Sequence, residues 1–311
     1  MIPILITGGA GFIPSALAEK LAENPEHLIV IADNLVTGSE DKIPVSAHGN
    51  IRFIKADVND FRDISGLFYA FRFEYVFHYA ALVGVQRTLK NPVQVLNDIN
   101  GLKNICALSK NCGVKRIYYS SSSEVYGEPV EFPQNEHTTP LNSRLPYAIV
   151  KNVGEAFLKS YEQEYGLEYT VFRFFNTYGP KQSKDFVVSR FISKALAGKP
   201  LTIYGDGSQT RTFCYVDDNI EATVNAFKKN MYVNDVVNIG GDEEIPVIDL
   251  AKTIIKLTNS KSILKHLPAL KEGDMTRRKP DISKMKNLLN RPMLPFEEGL
   301  KRIIDNPGFI L

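Results

Sequence analysis

The sequence predicts an α/β protein: a doubly wound parallel sheet with a smaller C-terminal lobe. Three observations lead there. Short apolar runs alternate with helix-length stretches through the first 175 residues. A glycine-rich turn, GGAGFIP, joins the first run to the first helix, and Asp33 closes the second run. Strands that alternate with helices favour a parallel sheet covered on both faces, and such strands read as nearly continuous apolar runs.

Residues 2–7 (IPILIT), ended by glycines, form the first expected strand. A helix over 15–23 follows, with Leu17 and Leu21 on one face. Further strands are expected over 27–32 (HLIVIA), 51–56 (IRFIKA), 74–80 (EYVFHYA), 116–120 (RIYYS) and 169–175 (YTVFRFF). Helix-length stretches at 60–71, 92–111 and 147–165 lie between them. Beyond Asn176 the pattern loosens into GPKQS, YGDGSQT and IGGDEEIP, as expected of short elements and turns. The expected division is a cofactor-binding domain from 1–175 plus about 212–240, and a substrate-binding lobe from 176–211 and 241–311.

With 311 residues, 44% hydrophobic and 23% charged, the chain has ample length for a core. A formal net charge of +2 offers no electrostatic case for nucleic acid or an anionic membrane as partner. The run KEGDMTRRKP (271–280) is locally basic and reads as a solvated turn or an anion site. Cys106, Cys112 and Cys214 lack metal-ligand spacing and suit a reducing compartment. The start MIPILITGG has no basic flank and no stretch approaches a membrane span, so a cytoplasmic protein without a metal is expected.

In GGAGFIP, Gly8 and Gly11 permit a tight turn and a close approach of backbone N–H groups to a pyrophosphate. Pro14 stands where a third glycine would pack helix on strand; in the first helical turn its missing N–H is no loss. Asp33 is placed to bond the adenosine ribose hydroxyls and to repel a 2′-phosphate, which favours NAD over NADP. A turn cap is the other reading of Asp33. Asp57 is a candidate for the adenine edge.

Tyr147 and Lys151 stand four apart and share a helix face. An ammonium near the phenol lowers its pKa, so the tyrosine becomes a base that takes a hydroxyl proton while hydride leaves the same carbon. A serine of SSSSEVYG (120–127) would hold the reacting oxygen.

The chain resembles the extended short-chain dehydrogenases/reductases, in particular the nucleotide-sugar epimerases, dehydratases and decarboxylases. The resemblance rests on TGGAGFIPS, ADN (32–34), ADV (56–58), HYAA (78–81), SSSSEVYG, YAIVK, RFFNTYGP, LTIYGDGSQTRTFCYVDD and RRKPDISK in this order. It implies a Rossmann-type sheet of about seven strands, bound NAD, and a lobe that grips a nucleoside diphosphate sugar. It makes Ser122, Tyr147 and Lys151 the catalytic set. Phe12, Ile13, Asn34, Val58, Ala80 and Ala81 then join Gly8, Gly11, Asp33 and Asp57 along the cofactor. Asn176, Arg211 and either Arg277 or Arg278 would bind the diphosphate or nucleoside; a surface arginine is the other reading of Arg211. The resemblance also implies a homodimer through 92–111 and 147–165, where Ile149, Val153 and Ala156 are apolar.

Three positions depart from the family pattern: Pro14, Asp98 in place of an asparagine that pins a loop, and Lys181 after Gly-Pro. Members of the family begin by oxidising C4 of the sugar. Glu124 lies two residues after Ser122, where a carboxylate can remove the C5 proton, so a 4,6-dehydratase, a lyase, is favoured over an isomerase. The acid that usually precedes that glutamate is replaced by Ser123. A 4-epimerase, with Glu124 only structural, is the first alternative. A UDP-glucuronate decarboxylase is the second, although Phe186 stands where decarboxylases carry an arginine. A non-catalytic NAD-binding regulator is the last.

Overall fold

The computed structural model describes residues 1–269 and 277–307. Seven strands form one parallel sheet: β1 Ile2–Thr7, β2 His27–Asp33, β3 Ile51–Lys55, β4 Tyr75–His78, β5 Arg116–Ser122, β6 Glu168–Phe174 and β7 Asp235–Ile239. Their spatial order is β3-β2-β1-β4-β5-β6-β7. The winding reverses between β1 and β4, and in such sheets ligands bind at the carboxyl ends beside that reversal. The six apolar runs expected as strands are strands, with ends shifted by two residues at most. The seventh, DVVNI, comes from the region where the alternation had loosened.

Helices α1 Phe12–Ala22, α2 Phe61–Phe71, α3 Val85–Lys90, α4 Pro92–Leu96, α5 Asp98–Cys112 and α6 Pro146–Tyr165 alternate with the first six strands. The expected single helix over 92–111 is divided at Asn97, whose carbonyl accepts from the Asn100 N–H, a three-residue step that tightens the turn. Beyond β6 come α7 Val187–Leu196, α8 Val216–Lys228, α9 Val247–Leu257, α10 Ser283–Leu289 and α11 Phe296–Asp305. Three two-stranded pairs accompany them: Thr177–Tyr178 with Cys214–Tyr215, Leu201–Tyr204 with Leu264–Leu267, and Thr210–Thr212 with Glu244–Pro246.

The two-residue period of the strands divides the core. Ile4, Ile6, Ile29 and Ile31 pack with Leu17 and Leu21 of α1 and with Ile220 and Val224 of α8. Leu5 and Val30 point the other way, to Phe68 of α2, Ile105 of α5 and Leu158 of α6. Each such buried side chain contributes about 2 kcal/mol of hydrophobic stabilisation. Parallel register then aligns the strand ends: Thr7 lies beside Ala32 and His78, and Ser122 beside Phe174. The loops that follow these residues share one edge, and the site is built there.

Among the described residues no helix is long and apolar enough to cross a membrane. Cys106, Cys112 and Cys214 are free thiols. Residues 271–276 of the basic run lie outside the described residues.

Candidate active site

A cleft of about 520 Å³ opens at the strand ends beside the reversal. At its floor Gly8 adopts φ +70°, and a Cβ there would lie 2.8 Å from the Ala80 Cα. A Cβ on Gly11 would lie 3.0 Å from the Gly8 carbonyl. Gly8 therefore needs glycine, and a side chain at Gly11 would crowd the loop unless the Gly8 carbonyl gave way. Phe12, Ile13 and Pro14 form the first turn of α1 and line the cleft, so Pro14 is accommodated as expected. The amides of Phe12 and Ile13 have no intrahelical acceptor at that position and are suited to an anion.

Asp33 does two jobs. Its carboxylate accepts from Ala10 N at 3.0 Å and from Leu35 N at 2.7 Å, which ties the glycine loop to the end of β2. It also lines the cleft, so the turn-cap reading and the ribose reading are compatible. Lys42 stands near Asp33: burial lowers its ammonium, and the Asp33 charge opposes that shift. No motif pointed to Lys42. Asn34 donates to Asp57 at 3.1 Å, and both line the cleft with Val58. Thr7 Oγ accepts from the Tyr79 and Ala80 amides at 3.1 Å each, which shapes the turn that brings Ala80 and Ala81 to the cleft wall. A glycine cradle, free first-turn amides and an acceptor at the end of β2 together fit a dinucleotide.

The catalytic candidates converge from β5 and α6. Pro146 starts α6, which places Tyr147 in its first turn and Lys151 one turn further. Ser122 and Tyr147 line the cleft together, and Ser122 Oγ accepts from the Glu124 amide at 3.2 Å. Lys151 Nζ donates to the Ser120 carbonyl at 2.6 Å and lies 5.8 Å from the centre of the Tyr147 ring. The lowered phenol pKa expected from the sequence depends on positive charge beside the ring, from Lys151 and from an oxidised nicotinamide when it is bound. Burial, reinforced by the Glu124 charge, pushes Tyr147 well above its ordinary value, and the Ser122 hydroxyl opposes this only in part. Burial also pulls Lys151 down to about 8, against Asp98 and Glu155.

Asp98 begins α5 and pins the loop by accepting alone, from Leu82 N at 2.8 Å and Asn59 Nδ2 at 3.4 Å. Asn176 lines the cleft while donating to the Thr212 carbonyl at 3.1 Å. Arg277 and Arg211 are not among the residues that line it. Arg277 instead forms a bidentate pair with Glu244 at 2.7 and 2.8 Å and lies over the Phe132 ring. Arg211 sits in the Thr210–Thr212 strand, beside Ile245. Arg278 is where the two arginine readings part. It is buried in the cleft, with Nη2 at 2.7 Å from Glu124 Oε1 and Nη1 donating to Ser123 Oγ at 3.0 Å. Among the described residues its buried Nε–H has no hydrogen-bond partner. Phe186 lines the same cleft.

The sequence profile described as the NAD dependent epimerase/dehydratase family matches residues 4–240. The chain belongs to that family. Among its relatives, UDP-glucuronic acid decarboxylase 1 of Danio rerio is 37% identical over 310 residues, spanning 97% of this chain and 71% of the relative. The UDP-glucose 4-epimerase of Thermotoga maritima, solved with UDP-glucose, superposes with a TM-score of 0.90 at 34% identity, covering 98% of each chain. The dTDP-glucose 4,6-dehydratase of Streptomyces venezuelae, solved with NAD, superposes with a TM-score of 0.90 at 25% identity, covering 99% of this chain and 98% of that one. As a member of this NAD-dependent family the protein uses NAD, and its fold is the Rossmann-type sheet these enzymes share.

Proposed function

We propose that the protein decarboxylates a nucleoside diphosphate hexuronate after oxidation at C4. Arg278 carries this reading: a buried guanidinium that lines the cleft, held in place by Glu124 and Ser123. A cation in the cleft wall favours an anionic group on the substrate, and a carboxylate matches the planar geometry of a guanidinium. The curated relatives that decarboxylate uronic acid sugars support the same substrate class.

NAD, when bound, supplies the hydride acceptor and later the donor. Tyr147 and Ser122 hold the C4 oxygen, and Tyr147 takes its proton. The C5 carboxylate is then β to a ketone. Breaking the C5–C6 bond releases carbon dioxide and leaves the electron pair as an enolate, whose oxygen faces the Tyr147 and Ser122 hydroxyls. Arg278 holds the carboxylate until it leaves, and protonation at C5 followed by reduction at C4 completes the reaction. We assign NAD to 1–175 with about 212–240, and the sugar nucleotide to 176–211 and 241–311.

A 4,6-dehydration is the second reading, favoured by the Glu124 carboxylate beside Ser122 and by Phe186, which offers no charge to a uronate. It needs an acid for the departing C6 hydroxyl. Ser123 occupies that place, and an alcohol that accepts from Arg278 is a poor acid. The test is a panel of UDP-glucuronate, UDP-N-acetylglucosaminuronate, UDP-glucose and dTDP-glucose, read by mass. Loss of carbon dioxide from a uronate supports the proposal. Loss of water, or isomerisation at constant mass, overturns it in favour of a dehydratase or an epimerase.

A further inference from the structure

Glu124 and Arg278 come from distant parts of the chain, so some element has to set one against the other. Arg278 precedes an extended segment docked on Gln134: Gln134 N donates to the Lys279 carbonyl at 2.7 Å, and Asp281 N donates to the Gln134 carbonyl at 2.8 Å. Glu124 lies in a tight turn, Ser123–Tyr126, that ends in a buried tyrosine. The Tyr126 hydroxyl accepts from Arg173 Nη1 at 2.9 Å and donates to Asn238 Oδ1 at 2.8 Å.

Asn238 lies in β7 and is fully buried. Its Nδ2 donates to the Gln134 carbonyl at 2.9 Å and to the Asp281 carbonyl at 3.2 Å. One side chain thus touches both the turn that carries Glu124 and the segment that follows Arg278. The role needs one acceptor and two donors on a planar group, which an amide has and a carboxylate lacks.

We propose that Asn238 is a positioning residue that fixes Arg278 against Glu124, and so governs the step after C4 oxidation. The proposal rests on the reading of that pair given above. A misplacement of about 1 Å in a reacting group costs roughly a hundredfold in rate. Tyr147 and Lys151, which are proposed to handle the C4 hydroxyl, are held from α6 and β5, and α6 is linked to Asn238 only at a remove, through Glu155, Arg173 and Tyr126.

The test compares Asn238→Asp and Tyr126→Phe with the unmutated enzyme, using UDP-glucuronate. Asn238→Asp keeps the acceptor for Tyr126 but loses both donors; Tyr126→Phe removes the other link and keeps the ring. Carbon dioxide release should slow by about a hundredfold in Asn238→Asp, and by less in Tyr126→Phe. Reduction of NAD in a single turnover should keep its unmutated rate, so reduced cofactor accumulates. Without any substrate, the Asp281 amide should exchange hydrogen faster while β1 and β4 amides do not change. Unaltered release, or equal slowing of both steps, overturns the proposal; if Asn238→Asp does not fold, Tyr126→Phe decides by the same split. Glu124→Gln and Arg278→Lys serve as controls. If neither slows release, the reading of the pair fails, and Asp281 exchange still reports whether Asn238 holds the segment.

Discussion

Arg278 Nη2 lies 2.7 Å from Glu124 Oε1, and both side chains are largely withdrawn from solvent. The carboxylate read from the sequence as a base for C5 is therefore also the counter-ion of a buried cation in the cleft. Removing either partner from a buried pair leaves the other uncompensated, so their substitutions have to be read together.

Tyr147 and Glu124 should fail at different stages. Tyr147→Phe removes the hydroxyl that accepts the first proton, so no reduced cofactor should form when substrate is added. Glu124→Gln keeps an acceptor for Arg278 but not the charge. Oxidation should proceed, and a 4-keto sugar should build up as Arg278, left without its counter-ion, is misplaced and the following step slows by about a hundredfold. Stopped-flow absorbance with mass analysis of the quenched sugar reads both. Unimpaired turnover of Glu124→Gln would remove Glu124 from the mechanism.

Lys151 makes stability depend on pH. Burial lowers its folded-state pKa to about 8 from an ordinary 10.5. Below the lower value the fold holds a buried charge that the unfolded chain would hydrate. Above the higher value neither state is charged. The unfolded state binds more protons between them, so this group's contribution to stability rises with pH across that window, by about 3 kcal/mol. Urea unfolding of the natural protein and Lys151→Met at several pH values should show the gap between them changing by that amount. A constant gap would mean that the buried lysine is not depressed.

Asp33 is expected to set the choice of cofactor. The Ala10 and Leu35 amides bond different oxygens of Asp33, so Asp33→Asn keeps an acceptor for only one of them; it also loses the charge that repels a 2′-phosphate, while Lys42 nearby supplies an attracting one. Calorimetric titration should show NAD bound far more tightly than NADP by the natural protein, and the difference should shrink in the variant. Equal affinities before mutation would discard the assignment.

We propose that two copies pair through α5 and α6. Ile149, Val153 and Ala156 form a stripe on α6 that is exposed or half-buried, at a spacing suited to a helix partner. Sedimentation at micromolar concentration should give a dimer, and Val153→Lys should release monomer. A monomeric natural protein would refute the pairing.

Much of this molecule is local. The six early strands, the glycine turn and the Tyr147–Lys151 spacing each depend on neighbours within a few residues, so apolar run length and backbone tolerance reveal them directly. β7 escaped that reading because it lies between a turn and two glycines in the turn-rich part of the chain after Asn176, and only pairing with β6 makes it a strand. The division at Asn97 escaped it because periodicity survives a single tightened turn.

By itself the sequence determined the α/β class and the glycine loop, and it offered Tyr147 and Lys151 as candidates for the C4 hydroxyl, since each is written in a short local stretch. It named Arg278 only as one of two neighbouring arginines with a phosphate role. Folding decided between them: Glu244 holds Arg277 outside the cleft, while Arg278 is delivered to Ser123, 155 residues away along the chain. That separation is bridged by Asn238, Gln134 and Tyr126 through hydrogen bonds with no periodic signature. A contact of this kind has no trace in local pattern, because its partners meet only after the sheet and the lobe have packed.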